Sequence, residues 1–428
     1  MKTVLKNSQL GDLLFEDGVI TKVGGNIDAP GAEEIDCTGK YIMPGVIDAH
    51  VHFRSPGHEE KEDWESGSRA ALMGGVTTVF DMPNTNPQTI TLDALEEKRA
   101  LARAKSHVNF GLFFGGTGKN LEEIKRAKGI VGVKVYMGQT TGQTVDETSE
   151  FMDGLLRDLF ENTERVVAIH AEDEELIKKH NQIYKDDNSP EIHSLIRSDL
   201  VSFLACRRAV HLAKKYGGKL HVCHVSTKKE IELLSKYPEV TCEVTPHHLF
   251  FTVSDYSRLG NFIKTNPPVR SQNDVDALWE GIRSGLVSFV ATDHAPHLKV
   301  EKERGYWDAP AGVPGVEFAL PLMLDSVNKG RLSMEDVVRL MCEGPTGVYG
   351  VQGKGFLKEG YDADITVVDM DMEREVRNED VVSKCGWTPY AGMTLRGWPV
   401  MTFVGGVLMM EGREIVSGHK GKELIVTE

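Results

Sequence analysis

Three features are scarce or missing in this chain of 428 residues. Its six cysteines are scattered without a CxxC pair, which argues against a disulfide framework and against a thiolate zinc site. The sequence has no run of about 18 apolar residues and no N-terminal segment typical of a signal peptide. Basic residues are outnumbered, because 49 Lys and Arg stand against 64 Asp and Glu. We therefore expect a cytoplasmic protein with no membrane span and no nucleic-acid partner.

The size and composition are typical of a large globular enzyme. Hydrophobic residues make up 40% of the chain and charged residues 26%. A barrel with a smaller appended domain fits this length. The formal net charge of −15 does not argue against an anionic substrate, since a few local cations set the electric field inside a pocket.

The two ends of the chain share a pattern that differs from the middle. Residues 1–43 and 351–428 contain short alternating apolar runs, with turn signals at Asp17–Gly18 and Gly405–Gly406. We predict that both ends build one composite β-sandwich domain. Within residues 44–350, eight strand-like runs alternate with amphipathic helical stretches. This alternation predicts a (β/α)8 TIM barrel of the α/β class, with active residues at the C-terminal ends of its strands.

Several metal-ligand candidates stand at those strand ends. His50 and His52 are two apart on a strand and project to the same face, where both imidazoles could bind one metal ion. The competing interpretation is two polar residues on a half-exposed strand. His170 and His224 each end an apolar run, where a structural histidine is the alternative. Asp293 also ends an apolar run, and a buried carboxylate needs a partner such as a metal.

A lysine inside a predicted barrel strand is unusual, because lysine is almost never buried without a partner. Lys134 occupies such a position in GVKVYM. One interpretation is an ion pair with a barrel carboxylate. The other is a reaction of the amine with CO2, which gives a carbamate anion able to bridge two metal ions. Removal of the amine from water favours the neutral form that this reaction needs.

These residues resemble the metal ligands of the amidohydrolase superfamily, whose marks are an HxH after the first strand, a carboxylated lysine, two later histidines and a final aspartate. The resemblance covers nearly the whole chain, from PGVIDAHVH to GKGFLKEGYDADITVVD. Narrower motifs resemble the dihydroorotase family: HVHFRSPGHEEKEDWESGSRAALMGGVTTVFDMPNTNP, CEVTPHHLF, KTNPPVR and ATDHAPH. That family reversibly cyclises N-carbamoyl-L-aspartate to L-dihydroorotate in pyrimidine (UMP) biosynthesis.

The resemblance implies a zinc site with two ions per chain, one remaining the alternative. One ion would be bound by His50, His52 and Asp293, and the other by His170 and His224. A carbamate on Lys134 would bridge them, opposite a bridging hydroxide, and Asp293 would be the general acid and base. In some relatives a further metal contacts the equivalent of Glu243, but here we favour a structural role for that residue.

The resemblance also implies a set of substrate-binding positions. Arg54, Asn84 and His297 match those that bind the free α-carboxylate, and a guanidinium binds a carboxylate bidentately. A structural ion pair is the alternative for Arg54. The other matched positions are Asn266 and the backbone near Ala311 and Gly312. The stretch GQTTGQTVDE resembles a loop that closes on substrate through a threonine, here Thr140 or Thr141, with an ordinary exposed loop as the alternative.

Two other functions remain open at this point. An allantoinase or dihydropyrimidinase would share the metal ligands but usually lacks the arginine of HxR. A non-catalytic homologue would serve as a scaffold for aspartate transcarbamoylase, and such proteins typically lose metal ligands. The partners that the resemblance implies are a small-molecule substrate, a second copy in a homodimer, and aspartate transcarbamoylase.

Overall fold

The computed structural model describes residues 2–140 and 148–426. Seventeen strands are found in this part of the chain. They are β1 (Lys2–Ser8), β2 (Gly11–Glu16), β3 (Val19–Val23), β4 (Glu33–Asp36), β5 (Tyr41–Pro44), β6 (Val46–Val51), β7 (Val76–Asp81), β8 (Asn109–Gly115), β9 (Ile130–Tyr136), β10 (Val167–His170), β11 (Leu220–Val222), β12 (Thr241–Val244), β13 (Phe289–Val290), β14 (Ile365–Glu375), β15 (Thr394–Val404), β16 (Val407–Glu411) and β17 (Glu414–Ile415).

Fifteen α-helices accompany these strands within the described residues. They are α1 (Trp64–Met73), α2 (Leu92–Lys105), α3 (Leu121–Arg126), α4 (Ser149–Asn162), α5 (Glu174–Tyr184), α6 (Ile192–Ile196), α7 (Asp199–Tyr216), α8 (Lys228–Leu234), α9 (Pro246–Phe250), α10 (Tyr256–Leu259), α11 (Gln272–Arg283), α12 (Lys299–Lys302), α13 (Ala319–Asn328), α14 (Met334–Val338) and α15 (Gly344–Tyr349). One π-helical turn, Arg339–Glu343, joins α14 to α15.

Strands β6 to β13 form one parallel sheet in sequence order. The two edges approach through a bridge between Val51 and His294, and the His52 N–H donates to the His294 carbonyl at 2.8 Å. The predicted (β/α)8 barrel is therefore confirmed. Strand β13 is shorter than the predicted run, because the chain turns away at Asp293, whose φ is 46°.

Helices around the barrel begin where the sequence places capping residues. Thr91 accepts from the Ala94 N–H at the start of α2. Ser271 and Asp274 form a capping box at the start of α11. Such caps satisfy N–H groups that the first helical turn leaves unpaired, so they fix where each helix begins after its strand.

Two further sheets come from the ends of the chain. One has the order β3-β2-β1-β4 and the other β17-β16-β15-β14-β5. Their facing side chains share a core in which the rings of Phe15 and Phe403 meet edge to face, with centroids 5.7 Å apart. The predicted hairpins turn at Asp17–Gly18 and Gly405–Gly406, and all four residues have positive φ. The division of the chain at residues 44 and 350 stays a prediction.

The C-terminal tail, residues 419–426, lies against the barrel. The Leu424 N–H donates to the Phe110 carbonyl at 2.9 Å, and the Leu424 side chain packs among core residues at the N-terminal end of the barrel. Glu423 accepts from Arg99 Nε at 2.5 Å. A Cβ at Gly421 would lie 2.0 Å from the Val108 carbonyl oxygen, so only glycine permits this approach. The tail thus covers the end of the barrel opposite the candidate site.

Candidate active site

The predicted site residues converge on one cavity at the C-terminal ends of the barrel strands. Its lining comprises His50, His52, Arg54, Asn84, Lys134, Tyr136, Thr140, His170, His224, Asn266, Asp293, Ala295, Ala311 and Gly312. His297 lies behind this lining and contacts Arg54 and Ala311. Thr141 lies outside the described residues. The structure therefore brings together, on five barrel strands or the loops after them, the six residues predicted to bind metal.

The first metal-ligand group consists of His50, His52 and Asp293. His52 Nε2 lies 2.9 Å from Asp293 Oδ1, and His50 Nε2 lies 3.4 Å from the same oxygen. One ligand atom from each of the three residues lies within 4.8 Å of the others. Two imidazole nitrogens and a carboxylate oxygen at this separation are a donor set that suits zinc, and also manganese, cobalt or iron.

The second group is His170 and His224. His170 Nδ1 and His224 Nε2 are 3.1 Å apart, and both side chains are buried. The ring of His224 lies 5.4 Å from that of His50, so the two groups are adjacent. Two imidazoles provide only part of a tetrahedral set, which leaves room for a further ligand from the chain and for substrate or water.

Each of three ligand histidines has its other ring nitrogen held by an oxygen acceptor. His50 Nδ1 forms a short contact with Glu243, and His52 Nδ1 lies 2.6 Å from Asn84 Oδ1. His170 Nε2 lies 2.9 Å from Glu172. Such partners fix the tautomer and the ring orientation of metal-binding histidines. The nitrogens that face the cavity are thereby left with their lone pairs for a cation.

The charge states of these groups also suit metal binding. Burial lowers the pKa of His52 to about 4, and burial lowers the pKa of His170 and His224 as well. For Asp293, burial raises the pKa, but His50 and His52 outweigh it and hold the pKa well below its usual range. Neutral imidazoles and an ionised carboxylate are the forms that bind a metal ion.

His50 differs from the other three histidines because it lies between two carboxylates. Burial and Lys134 lower its pKa, but Glu243 and Asp293 raise it more strongly, to about 10. A positive charge is therefore favoured at this position, and the arrangement fits a bound cation as well as a proton. Glu243 itself accepts from His221 Nε2 at 3.1 Å. Together with His50 and Cys223 it forms a further set of three potential metal ligands, separate from the pair His170 and His224.

Lys134 lies in the floor of the cavity and is buried. Its ammonium donates to Cys223 Sγ at 2.9 Å, and in the described part of the chain no carboxylate forms an ion pair with it. The ion-pair interpretation of this lysine is therefore not supported. The Cys223 thiol and the Tyr136 ring, whose centre lies 5.4 Å from Nζ, are neighbours of this lysine, and a carbamate on it stays a prediction.

Backbone strain is concentrated at this site. Arg54, His224 and Asp293 have φ values of 62°, 38° and 46°, in the left-handed region that side chains other than glycine rarely adopt. Only six described non-glycine residues have positive φ, so half of them belong to the candidate site. Strain of this kind persists where the surrounding structure fixes a functional side chain.

The opposite wall of the cavity is cationic. The buried Arg54 donates from Nε to the Pro296 carbonyl at 3.2 Å, and among residues 2–140 and 148–426 no carboxylate forms an ion pair with it. Its Nη2 lies 3.2 Å from His297 Nε2. Lys61 Nζ lies 3.2 Å from His297 Nδ1, and the Ala311 carbonyl oxygen lies 3.1 Å from His297 Nε2. The structural ion pair considered for Arg54 is therefore absent from the described residues.

Two buried lysines hold the segment that contains Ala311 and Gly312. Lys264 donates to the carbonyls of Tyr306 and Ala309, both at 2.6 Å. Lys302 donates to the carbonyls of Lys264, Pro310 and Gly312 at 3.2, 2.8 and 2.9 Å. A Cβ at Gly312 would lie 2.5 Å from the Ala295 carbonyl oxygen, and its φ is 138°. Glycine is therefore required where this segment passes the cavity.

Asn266 and Thr140 meet at the edge of the cavity. Asn266 Nδ2 donates to Thr140 Oγ1 at 3.3 Å, and Asn266 Oδ1 lies 3.1 Å from His193 Nε2. Thr140 is thus attached to a predicted substrate-binding residue rather than being simply exposed. The role of both residues toward substrate stays a prediction.

Sequence reasoning missed four residues that support the site: Asp48, Tyr136, Glu172 and Cys223. Asp48 accepts from the Thr292 N–H at 3.0 Å and from its hydroxyl at 2.5 Å, which joins β6 to the segment bearing Asp293. Three of the four stand two residues from a predicted ligand, where strand periodicity brings side chains to the same face. That spacing was the available signal for them. Cys223 precedes His224 and is revealed only by its contact with Lys134.

Comparison with known proteins agrees with this fold and site. The amidohydrolase family profile matches residues 41–409. The chain therefore belongs to the amidohydrolase family, and the resemblance seen in its motifs is confirmed.

Its similarity to curated relatives is more specific. A protein of Halobacterium salinarum named dihydroorotase is 39% identical over 424 residues, which cover 98% of each chain. A protein of Pyrococcus furiosus with the same name is 38% identical over 418 residues, covering 97% of this chain and 92% of that one.

A solved structure of L-hydantoinase (dihydropyrimidinase) from Arthrobacter aurescens superposes with a TM-score of 0.92 at 34% identity, covering 97% of this chain and 98% of that chain. Dihydropyrimidinase from Brevibacillus agri superposes with a TM-score of 0.90 at 24% identity over 98% and 97% of the two chains, which shows the shared fold alone. In the described part of this chain, no helix combines the length and apolar character needed to cross a bilayer.

Proposed function

We propose that this chain acts as a dihydroorotase, a hydrolase of a cyclic amide that interconverts N-carbamoyl-L-aspartate and L-dihydroorotate. The observation that carries the proposal is the buried guanidinium of Arg54, which forms no ion pair with a carboxylate of the described residues and lies beside a candidate metal-ligand set. A buried charge is costly without a counter-charge, so this arginine calls for an anionic substrate. The free carboxylate of dihydroorotate supplies that counter-charge on the same ring as the amide bond that is cleaved.

The hydantoinase structure favours one alternative, a cyclic amidase for rings without a carboxylate. Such a ring would leave Arg54 buried without an anion. The relatives named dihydroorotase are also more similar in sequence, at 38–39% identity against 34%. We therefore place the cyclic amidase activity on rings without a carboxylate second, after the dihydroorotase activity.

The metal-binding part of the proposal assigns residues by donor type. One zinc ion would be held by His50, His52 and Asp293, and a second by His170 and His224, with a carbamate on Lys134 between them. Bound metal activates water at neutral pH and polarises the scissile carbonyl. The donor set does not select zinc over other divalent transition metals, so the experiment must identify the bound metal.

The remaining chemistry falls to side chains of this chain. In hydrolysis, Asp293 accepts the proton that water loses as its oxygen bonds to the ring carbonyl carbon. The C–N bond of the ring then breaks, and Asp293 delivers the proton to the departing nitrogen. Cyclisation is the reverse, with nitrogen attacking the side-chain carboxyl carbon and water leaving. Arg54 holds the α-carboxylate throughout, while the segment at Ala311 and Gly312 faces the ring amide.

The experiment is hydrolysis of L-dihydroorotate by the purified protein, followed by the loss of ultraviolet absorbance, with metal quantified in the same sample. We expect activity with about two zinc ions per chain. The control is Asp293→Ala, which we expect to fold and not to turn over. Metal without activity on dihydroorotate would direct the assay to hydantoins and allantoin and would refute the proposal. A protein with neither metal nor activity would fit a non-catalytic scaffold. Measurement of the molecular mass in solution would test the predicted homodimer, and co-purification would test the predicted association with aspartate transcarbamoylase.

A further inference from the structure

One hydroxyl at the candidate site lacks a hydrogen-bond partner. Tyr136 is the last residue of β9 and stands two positions after Lys134, so its side chain faces the same cavity. Lys134 Nζ lies 5.4 Å from the centre of the Tyr136 ring, and the ring of His170 lies 6.3 Å away. The Tyr136 hydroxyl is buried, and within the described residues no atom forms a hydrogen bond with it.

This hydroxyl is a donor that calls for an acceptor. A phenol carries a proton that it can donate to an acceptor. A buried hydroxyl without a partner costs free energy, and buried polar groups in folded proteins are normally bonded. A ligand in the cavity would supply the missing acceptor.

The same cavity contains a second donor group without an anion. Arg54 lines it, is buried, and has bonds only to the Pro296 carbonyl and to His297 among the described residues. One anionic group placed against Arg54 would satisfy both the guanidinium and the phenol.

We propose that Tyr136 is a further catalytic residue, whose hydroxyl donates a hydrogen bond to the substrate carboxylate that Arg54 binds. This inference rests on the proposed function and adds a recognition residue to it. Tyr136 then helps to select rings with a carboxylate from rings without one. A hydrogen bond to a charged acceptor contributes more than a neutral one, so its loss is measurable in binding.

The test is Tyr136→Phe, which removes only the oxygen. We expect KM for dihydroorotate to rise about 10- to 100-fold, with kcat changed less than about threefold and metal content unchanged. Tyr390→Phe is the matched control, because the Tyr390 hydroxyl is equally buried and unpaired in the described structure but lies in a separate hydrophobic cluster. We expect the control variant to keep the wild-type KM.

A second measurement does not depend on turnover. Binding of orotate, a planar ring that keeps the carboxylate, is titrated calorimetrically with wild type, Tyr136→Phe, Arg54→Met and the double variant. If both residues bind one carboxylate, the two losses in affinity are not additive. Strict additivity would overturn the shared carboxylate.

The outcomes separate the two proposals. A wild-type protein inactive on dihydroorotate refutes the proposed function. An active wild type whose Tyr136→Phe variant keeps its KM and its orotate affinity refutes the role of Tyr136. A fall in kcat at unchanged KM, or a loss of metal in this variant, would also overturn the carboxylate assignment, since the hydroxyl would then act on the reacting carbonyl or on the metal ligands.

Discussion

The two walls of the active-site cavity handle charge in opposite ways. On the metal side, imidazoles and carboxylates face each other, and Glu243 and Asp293 favour a positive charge on His50. On the other side, Arg54 lines the cavity, and behind it the buried Lys264 and Lys302 donate to backbone carbonyls of the segment that contains Ala311 and Gly312. Burial lowers the pKa of both lysines. None of these three side chains forms an ion pair with a carboxylate within residues 2–140 and 148–426.

The contrast shows what each wall lacks. Carbonyl dipoles orient the buried guanidinium of Arg54 but do not neutralise it, so the second wall keeps a positive charge that an anion would complement. On the first wall, Glu243 and Asp293 favour a positive charge. A metal ion and an anionic substrate are complementary to the two deficits, which is why one cavity suits both.

The largest effect expected on the metal side comes from Lys134→Ala. Without the carbamate that would bridge the two ligand groups, we expect activity to fall about a thousandfold or more, with a loss of bound metal. Short carboxylic acids such as acetate should restore part of the activity. Lys134→Arg is the control, because it keeps a positive charge but forms no carbamate, and we expect no rescue. Full activity in Lys134→Ala would exclude the carbamate.

On the anion side, Arg54→Met should have the largest effect. We expect KM for dihydroorotate to rise about a hundredfold at unchanged metal content, because the substrate carboxylate loses a charge-assisted pair. Arg54→Lys should not restore KM, since an ammonium cannot replace the planar guanidinium. Steady-state kinetics with metal analysis measure both quantities. An unchanged KM would remove Arg54 from the site and with it the contrast between the walls.

A smaller effect on the metal side should follow from Glu172→Gln. Glu172 accepts from the ring of His170 and pairs with Arg197; burial raises the pKa of Glu172, but Arg197 and His170 outweigh burial and lower it to about 2. The amide keeps an acceptor but loses the charge, so we expect metal affinity to fall about tenfold with KM nearly unchanged. Glu174→Gln is the matched control, because Glu174 bonds to the Gln139 N–H instead. Equal metal affinities in both variants would contradict this prediction.

The smallest effect should appear in the pH dependence of the anion side. Burial lowers the pKa of Lys264 from 10.5 to about 8. Between these values the unfolded chain binds more protons than the folded one, so the free energy of unfolding should rise with pH there relative to Lys264→Met. Below about pH 8 the difference between the two proteins should be flat.

The same titration should affect substrate binding. Above about pH 8, KM of the wild type should rise a few-fold as the cationic wall loses charge, whereas KM of Lys264→Met should not. Chemical denaturation and kinetics between pH 7 and 10 measure both responses. Parallel curves for the two proteins would show that Lys264 does not titrate in this range.

Much of the metal side could be predicted from the sequence. Histidines two apart, and single polar residues at the ends of apolar runs, were enough to predict that His50, His52, His170, His224 and Asp293 lie together, because parallel strands bring their C-terminal ends together. That they bind metal stays a prediction. The barrel itself followed from eight alternating strand and helix patterns. These signals are local, and each can be read within about ten residues.

The long-range contacts that hold the residues of both walls in place could not be predicted in this way. Lys134 contacts Cys223 and Glu172 contacts Arg197, over 89 and 25 positions of the chain. Lys302 is held by carbonyl oxygens, which every residue carries and no motif marks. Contacts of this type depend on the packed barrel, so they are visible only once the strands are in place.

The C-terminal tail has a consequence for the timing of folding during synthesis. Phe110 in β8 exchanges hydrogen bonds with Lys422 and Leu424, more than three hundred residues later. Ribosomes add about 5–20 residues per second, so this early strand waits roughly 15–60 s for its last neighbour. Throughout that interval the hydrophobic end of the nascent barrel stays uncovered. The speed of elongation thus sets the earliest moment at which the C-terminal tail can pack against the end of the barrel.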